Sequence, residues 1–177
     1  FFDCFPTKQF FKIKNNHYEN IVKYDSYKNN FFIDNKKIYK SSRIIKEINE
    51  IYSSNNFEDG KIIEISPTCK NYIKKISDIL LKNNGLLILI DYGNINPTGL
   101  STIQSIKNHK KSNLLNDPGK QDLSFMLSFS LLKKMFQNNN LKVYGPFTQK
   151  DFLISLGINK RKDNILKNRS ASDKRIF

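Results

Sequence analysis

Several residue types are rare or absent in the sequence, and each shortage excludes a class of protein or of binding site. It contains no tryptophan and two cysteines, Cys4 and Cys69. Two cysteines cannot form a disulfide framework for a chain of this length, and they lack the paired spacing of a zinc site. We therefore expect a reducing compartment and no bound metal. The longest clean apolar run, Leu86 to Ile90, is far shorter than the roughly 20 residues of a membrane helix, so no transmembrane segment is expected.

Several catalytic signatures are also missing. The sequence contains no G-x-S-x-G elbow, no Walker lysine loop, no H-E-x-x-H helix and no G-x-G-x-x-G turn. The chain therefore offers no phosphate cradle of its own. Its first residue is Phe1 rather than Met, and we expect it to be a piece of a longer protein whose targeting segment is not visible here.

The chain is strongly basic, with 30 Lys and Arg against 16 Asp and Glu and a net charge of +14. Such a charge favours nucleic-acid binding, but only four of the basic residues are arginine, the better ligand for phosphate and guanine. The counts of 23 Asn and 23 Ile against one Ala and two Val indicate a codon bias that also supplies lysine. We expect solvated lysine faces and no specific nucleic-acid partner, while a basic RNA-associated module stays open as a hypothesis.

One helix-then-strand unit gives the clearest architectural signal. Ser66-Pro67 supplies an N-cap and a first-turn proline, and Asn83-Asn84-Gly85 supplies a C-terminal stop. The apolar run from Leu86 to Ile90 then predicts a strand buried on both faces of a parallel sheet, closed by Asp91-Tyr92-Gly93. The apolar stripe of the helix consists of Tyr72, Ile73, Ile76, Ile79 and Leu80.

The remaining segments predict a mixture of helices and strands in a single domain. Aromatic and β-branched residues broken by Asn pairs predict a β-rich insert from Phe10, and the stripe Ile44, Ile45, Ile48, Ile51 and Tyr52 predicts a helix. A loop follows at residues 53–56. We further expect a strand at 61–65, a long loop with one short helix at 94–120, a helix at 123–136, a strand at 141–144 and a helix capped by Thr148 that ends at Gly157.

Three residues follow apolar segments that we expect to meet at one edge of the sheet. Asp91 lies at the carboxyl end of the predicted parallel strand, where open α/β sheets bind their ligands. It could bind a ribose, a metal or a substrate cation, or cap the following turn. Tyr92 adds an aromatic wall with a hydroxyl, and Asp3 follows a second apolar strand end.

Two further candidates lie in the long loop and directly after it. His109 stands among lysines that disfavour its charged form, so it could act as a general base or simply be exposed. Asp122 follows the turn Asp117-Pro118-Gly119 and could cap the next helix.

Five segments follow one another in the order found in a single protein family. Residues 1–6, F-F-D-C-F-P, resemble the N-E-F-F-D-A-L-P segment of the MidA-like proteins, the mitochondrial complex I assembly methyltransferases. The other four are residues 90–93 (I-D-Y-G), residues 102–110 (T-x-R/Q-x-x-x-x-H-K/R in the family), residues 117–124 (P-G-x-A-D-L-T) and residues 145–161 (G-P-x-T-Q-x-x-F-L-x-x-L-G-I-x-x-R).

The resemblance implies an α/β fold, the C-terminal half of a class I S-adenosylmethionine-dependent methyltransferase with a Rossmann-like sheet. The partial domain would span residues 1–161, with the β-rich insert at about 10–52 and a charged tail at 162–177 that we expect to fray. The implied cofactor is S-adenosylmethionine, the acceptor is an arginine in a protein, the family's substrate is a complex I subunit, and the location is mitochondrial.

The resemblance also implies a role for each candidate site residue. Asp91 and His109 would be catalytic, and Asp3, Tyr92 and Asp122 would bind substrate. In the family the glycine-rich cofactor loop lies upstream of the segment that matches Phe1, so no residue of this chain is assigned to the cofactor. We accordingly expect activity from the full-length protein and not from this chain alone.

Two positions depart from the family pattern. Ser128 stands where the family's V-D-F has Asp, and Met126 stands where it commonly has His or Asp. These departures favour an alternative in which the protein is a non-catalytic assembly factor of the same family.

Overall fold

The computed structural model describes residues 1–52 and 58–167 and divides the chain into two compact units, residues 1–144 and residues 145–177. A short 3-10 turn, Phe2–Cys4, precedes the first strand. The elements of the first unit are β1 Lys8–Ile13, β2 Asn16–Asp25, β3 Asn30–Ile38, α1 Arg43–Ile51, β4 Ile62–Ile65, α2 Pro67–Asn83, β5 Gly93–Asn94, β6 Gln104–Lys107, β7 Lys110–Ser112, β8 Asp122–Ser124, β9 Leu127–Ser128 and α3 Phe129–Asn138. The second unit contains α4 Gln149–Ser155 and α5 Ile158–Lys167.

The largest sheet is antiparallel, with strand order β3-β2-β1-β4. Its two hairpin turns contain Lys14 and Asn29, which adopt the left-handed backbone conformation that short polar residues tolerate best. The structure therefore confirms the predicted β-rich segment with Asn-containing turns.

Helix α1 packs on one face of this sheet. Ile45, Ile48 and Tyr52 are buried there against Phe10 and Ile63, which confirms the predicted apolar stripe for these three residues. The hydroxyl of Tyr52 also donates to the carbonyl of Glu64 at 3.1 Å. The loop predicted at residues 53–56 lies outside the described residues.

Helix α2 begins and ends as the sequence indicates. The hydroxyl of Ser66 accepts the N–H of Cys69 at 3.1 Å, Pro67 occupies the first turn, and Asn84 ends the helix with a φ of 49°. The apolar stripe is only partly correct, because Ile73 is fully buried whereas Tyr72 and Ile79 are exposed. Cys69 and Ile73 belong to a second core with Phe125, Leu127, Leu132 and Phe136.

The prediction of a doubly buried strand at Leu86 to Ile90 is wrong for this chain. Residues 86–90 pair with no strand of the described residues, and Leu86, Ile88 and Ile90 are exposed. Only Leu89 packs against the second core. A parallel strand is buried when it has a neighbour on each side and helices over both faces, and the described residues supply neither.

The segment from residue 94 to residue 136 also differs from the expectation. The predicted long loop holds the hairpin β6–β7, and β8 pairs with β6 where we expected the start of a helix. Helix α3 begins later than predicted, at Phe129. In the segment before it, Phe125 and Leu127 are buried while Met126 between them is exposed. This alternation is the period of a strand and not of a helix.

Two further differences concern the C-terminal part. Residues 141–144 form no ladder with any described strand, although Leu141 and Val143 pack against the second core. In the second unit the hydroxyl of Thr148 accepts the N–H of Asp151 at 3.1 Å, which confirms the cap of α4. The charged tail predicted from residue 162 is helical in α5 as far as Lys167, and residues 168–177 lie outside the described part. None of the helices in the described ranges combines the length and apolarity needed to cross a membrane.

Candidate functional site

Two carboxylates converge where the N-terminal turn meets the end of the extended segment 86–91. Asp3 Oδ1 and Asp91 Oδ2 lie 2.8 and 3.3 Å from the backbone nitrogen of Phe1. The Asp3 side chain is only 13% exposed and that of Asp91 only 7%. Asp91 Oδ1 also accepts the N–H of Tyr92 at 2.9 Å, which fixes the orientation of its carboxylate. The two acids therefore lie side by side.

The thiol of Cys4 lies 3.5 Å from Asp3 Oδ1, and the side chain of Tyr92 is also within hydrogen-bonding reach of Asp3. A pair of adjacent carboxylates with an aromatic hydroxyl beside them is suited to hold a cation with several N–H donors.

The backbone joins the two segments that carry these acids. The N–H of Phe125 donates to the carbonyl of Asp3 at 3.0 Å, and β5 pairs with β9 directly after Tyr92. Gly93 permits this approach, because a Cβ at residue 93 would lie 2.2 Å from the carbonyl oxygen of Leu127. The connection through β8 and β9 therefore determines where Asp3 and Asp91 meet.

A group of aromatic rings lies next to the two acids. The ring centroids of Phe1 and Phe5 are 5.2 Å apart, and those of Phe5 and Tyr72 are 4.9 Å apart. The sequence analysis did not identify Phe5 or Tyr72 as part of the site. Phe5 could have been noticed because it follows Phe1 and Phe2 within four residues, but nothing near Tyr72 in the sequence links it to them.

The structure does not bring His109 and Asp122 into this cluster. His109 lies in the turn between β6 and β7 with a φ of 60° and is exposed. Asp122 pairs with Ile106 at the start of β8 and is also exposed, three residues before the Phe125 that bonds to Asp3. Asp122 does not cap a helix, because β8 begins at that residue. The roles assigned to both residues stay predictions.

The two departures from the family pattern lie beside Gly93 and Asn94. Ser128 is the N-cap residue of α3, a position that serine and aspartate fill about equally well. Its hydroxyl lies 3.2 Å from that of Ser130. The sulfur of Met126 accepts a hydrogen bond from the amide of Asn94 at 3.5 Å. The Ser128 hydroxyl makes no cap hydrogen bond to α3, so helix capping does not explain this departure.

The cluster of acids and aromatic rings is suited to a cationic ligand and lacks the parts that a nucleoside cofactor would need. Asp3, Asp91 and Tyr92 could bind a cationic acceptor, but the sequence has no glycine-rich turn that could receive the amino-acid and ribose parts of S-adenosylmethionine. Within residues 1–52 and 58–167, no group of three or more His, Cys, Asp and Glu side chains could hold a metal ion.

Comparisons with known proteins identify the family. A model of the S-adenosyl-L-methionine-dependent methyltransferase family matches residues 1–147. The chain belongs to this family. It is 26% identical over 175 residues to the protein arginine methyltransferase NDUFAF7, mitochondrial, of Danio rerio, and covers 39% of that protein. It is 31% identical over 103 residues to the NDUFAF7 homolog of Caenorhabditis elegans and covers 24% of it.

Solved structures show the same fold. A superfamily member from Burkholderia thailandensis bound to S-adenosyl-homocysteine superposes with a TM-score of 0.72 at 17% identity, over 98% of this chain and 44% of the other. A native structure of a member of that superfamily from the same organism gives 0.73 at 18% identity, over 98% and 45%. The predicted α/β methyltransferase fold class is therefore confirmed. The chain spans about two-fifths of the length of the relatives that it matches over nearly all its residues.

Proposed function

We propose that the full-length protein transfers a methyl group from S-adenosylmethionine to an arginine side chain of another protein. The observation that carries the proposal is the adjacency of the Asp3 and Asp91 carboxylates, whose oxygens lie 2.8 and 3.3 Å from the same backbone nitrogen. A guanidinium group presents several N–H donors in one plane, and paired carboxylates are the acceptors that match it best. Membership of the methyltransferase family and the names of the relatives support the same reaction.

The residues of the chain would hold and orient the acceptor. S-adenosylmethionine, when bound, supplies the methyl group. The Asp3 carboxylate and the Tyr92 hydroxyl fix the guanidinium plane, so that one nitrogen faces the incoming carbon in the geometry that the reaction requires. Asp91, the more buried of the two acids, is the nearest base for the proton that this nitrogen loses as its bond to the methyl carbon forms.

The first experiment separates cofactor binding from catalysis. Calorimetric titration of S-adenosylmethionine into the full-length protein should show binding, with the 177-residue chain as the comparison. Transfer of a radiolabelled methyl group to mitochondrial proteins should fall about tenfold to a hundredfold in Asp91→Asn and Asp3→Asn, because each loses a charged hydrogen-bond acceptor. Asp78→Asn is the matched control, since Asp78 is exposed on α2, where it pairs with Lys74 at 3.1 Å.

The outcomes distinguish the two candidate functions. If a folded full-length protein binds no S-adenosylmethionine, the enzymatic proposal fails and the non-catalytic assembly factor takes its place. If the cofactor binds but Asp91→Asn and Asp3→Asn transfer methyl groups as fast as the wild-type protein, the assignment of the site is wrong while the reaction stands. Variants of His109 and Asp122 in the same assay test the roles proposed for them.

We further propose that the substrate is a subunit of respiratory complex I and that the protein acts in mitochondria. The word mitochondrial in the names of the relatives supports the location. The complex I substrate rests on the resemblance of the sequence motifs to those of the complex I assembly methyltransferases. Labelled protein should therefore co-purify with complex I. Label found only on proteins outside complex I would contradict this substrate.

A further inference from the structure

The outer part of the β2–β3 hairpin projects beyond the rest of its sheet. Strand β1 pairs with β2 only between residues 16 and 20, so residues 21–34 form a two-stranded ribbon, here called the arm. An isolated two-stranded ribbon in water is only marginally stable. The arm is nevertheless well formed, because Asp25 Oδ1 accepts the N–H groups of Tyr27 and Lys28 at 2.9 and 3.1 Å in its turn.

One face of the arm is apolar. In the antiparallel register Val22 stands opposite Ile33 and Tyr24 opposite Phe31, which places these four side chains on the same face. Their exposed fractions range from 39% to 58%, and Tyr27 at the tip is fully exposed. The centroids of the Tyr24 and Phe31 rings are 5.2 Å apart. Four neighbouring apolar side chains on a projecting ribbon form a surface of the kind that binds other proteins.

The charges of the arm indicate the chemistry of the partner. Its two carboxylates are already used, since Asp34 pairs with Lys23 at 2.5 Å and Asp25 accepts the turn N–H groups. No described carboxylate lies within ion-pair distance of Lys28 at the tip, nor of Lys37, which stands on the apolar face opposite Tyr18. Lys28 therefore places a positive charge at the tip of the arm, and Lys37 places one on the same sheet face just beyond the arm, without a described carboxylate beside either.

A second copy of the chain joined through the edge strand is a weaker candidate. Strand β3 is an edge of the sheet, but the Asp34 carboxylate accepts the N–H of Asn35 at 2.8 Å, and Lys36 and Lys37 follow. A bonded N–H and adjacent lysines are features that oppose edge-to-edge pairing. Two copies would also bring equal positive charges together.

We propose that the arm is a docking surface for a protein segment that combines apolar or aromatic side chains with acidic ones. The proposal rests on the proposed function only in that the partner is taken to be a protein. The apolar face receives the apolar side chains, and Lys28 and Lys37 receive the carboxylates. The arm thereby binds a substrate protein at a place separate from Asp3 and Asp91.

A random copolymer of glutamate and tyrosine serves as the probe, with polyglutamate as the purely acidic comparison. Binding of the labelled polymers to the full-length protein is measured by fluorescence anisotropy. Replacing Tyr24 and Phe31 together by Thr keeps the charge and the strand propensity, and should weaken copolymer binding about tenfold or more. Polyglutamate binding should change less than about twofold, because its attraction depends on charge alone. Ile79→Ala with Leu81→Ala, on the exposed side of α2, is the matched control and should leave both unchanged.

A second variant guards against misfolding of the first. Lys28→Ala with Lys37→Ala leaves the apolar face intact and should also weaken copolymer binding, and circular dichroism checks the folding of both variants. Equal copolymer affinity for the folded wild-type and Thr variants would overturn the proposal. The proposal would also be overturned if the Thr variant bound the copolymer normally but lost binding to polyuridylate or to anionic vesicles. The partner would then be RNA or a membrane. None of these measurements requires methyl transfer, so the result is independent of the enzymatic proposal.

Discussion

Replacement of Gly93 by alanine should destabilise the fold and displace the candidate site. The added Cβ would lie 2.2 Å from the Leu127 oxygen and 2.8 Å from its nitrogen, and both are backbone atoms that cannot rotate away. Ordinary contact begins at 3.4 Å, so the two segments must separate by about 1 Å. Leu127 is 2% exposed, and its N–H donates to the carbonyl of Tyr92 at 3.4 Å.

The expected cost follows from these contacts. Weakening one backbone hydrogen bond costs about 1 kcal/mol, and backbone displacement around a buried side chain costs about 2 kcal/mol more. A loss of about 3 kcal/mol should lower the melting temperature by roughly 6–12 °C for a chain of this size. Urea and thermal unfolding followed by circular dichroism give both quantities.

Gly85→Ala is the matched control for this prediction. Its Cβ would lie 2.9 Å from the Leu80 Cδ2 atom, the end of a flexible side chain that can move aside. We expect a change below about 1 kcal/mol. The reasoning is refuted if Gly93→Ala unfolds within about 0.5 kcal/mol of the wild-type protein, or if the two alanine variants are equally destabilised.

Three further predictions concern titration, thiol reactivity and capping. The pKa of His17 lies below 6.5, mainly because the side chain is buried and further because of the charges of Lys40 and Lys12. The unfolded chain therefore binds a proton at His17 more readily than the folded chain does. The free energy of unfolding should fall as the pH is lowered from 7.5 through 6.5 to 5.5 in urea titrations, and a His17→Phe variant that keeps the full pH dependence would contradict this. Burial raises the pKa of Cys69 to about 12, so in a Cys4→Ser variant a disulfide reagent at pH 8 should react only after urea is added. Ser66→Ala should cost about 2 kcal/mol in urea unfolding, because the hydroxyl accepts from Cys69 and donates to Pro6 within the core, and a loss below about 0.5 kcal/mol would show that the cap contributes little.

Local signals in the sequence predicted the elements that depend on local interactions. Helix α2 was placed correctly because Ser66, Pro67 and Asn84 act within one turn of its ends. The β2–β3 hairpin was recognised because its turn at Asn29 and its alternating strands are local as well. The segment 86–90 was placed wrongly, because five apolar residues indicate burial only when other strands are present to cover them. The short strands β8 and β9 were missed because Leu131, Leu132 and Met135 extended a helical pattern backwards across them.

The sequence predicts those residues of the candidate site that come directly after apolar segments. Asp3, Asp91 and Tyr92 were chosen for their positions after apolar segments, and the structure brings them together. Phe125 and Leu127 could not be chosen in this way, because they act through backbone N–H groups that every residue type possesses. Tyr72 was missed because its contact with Phe5 depends on the packing of α2, which no local pattern specifies.

The exposed segment from Leu86 to Ile90 has a consequence for the handling of the protein. Five consecutive apolar residues with an unpaired backbone are of the type that stacks into cross-β assemblies. Asp91 follows this segment directly and opposes stacking, because stacked molecules would place their Asp91 carboxylates next to one another and these would repel. Aggregation of the chain should therefore be slower than that of an Asp91→Asn variant.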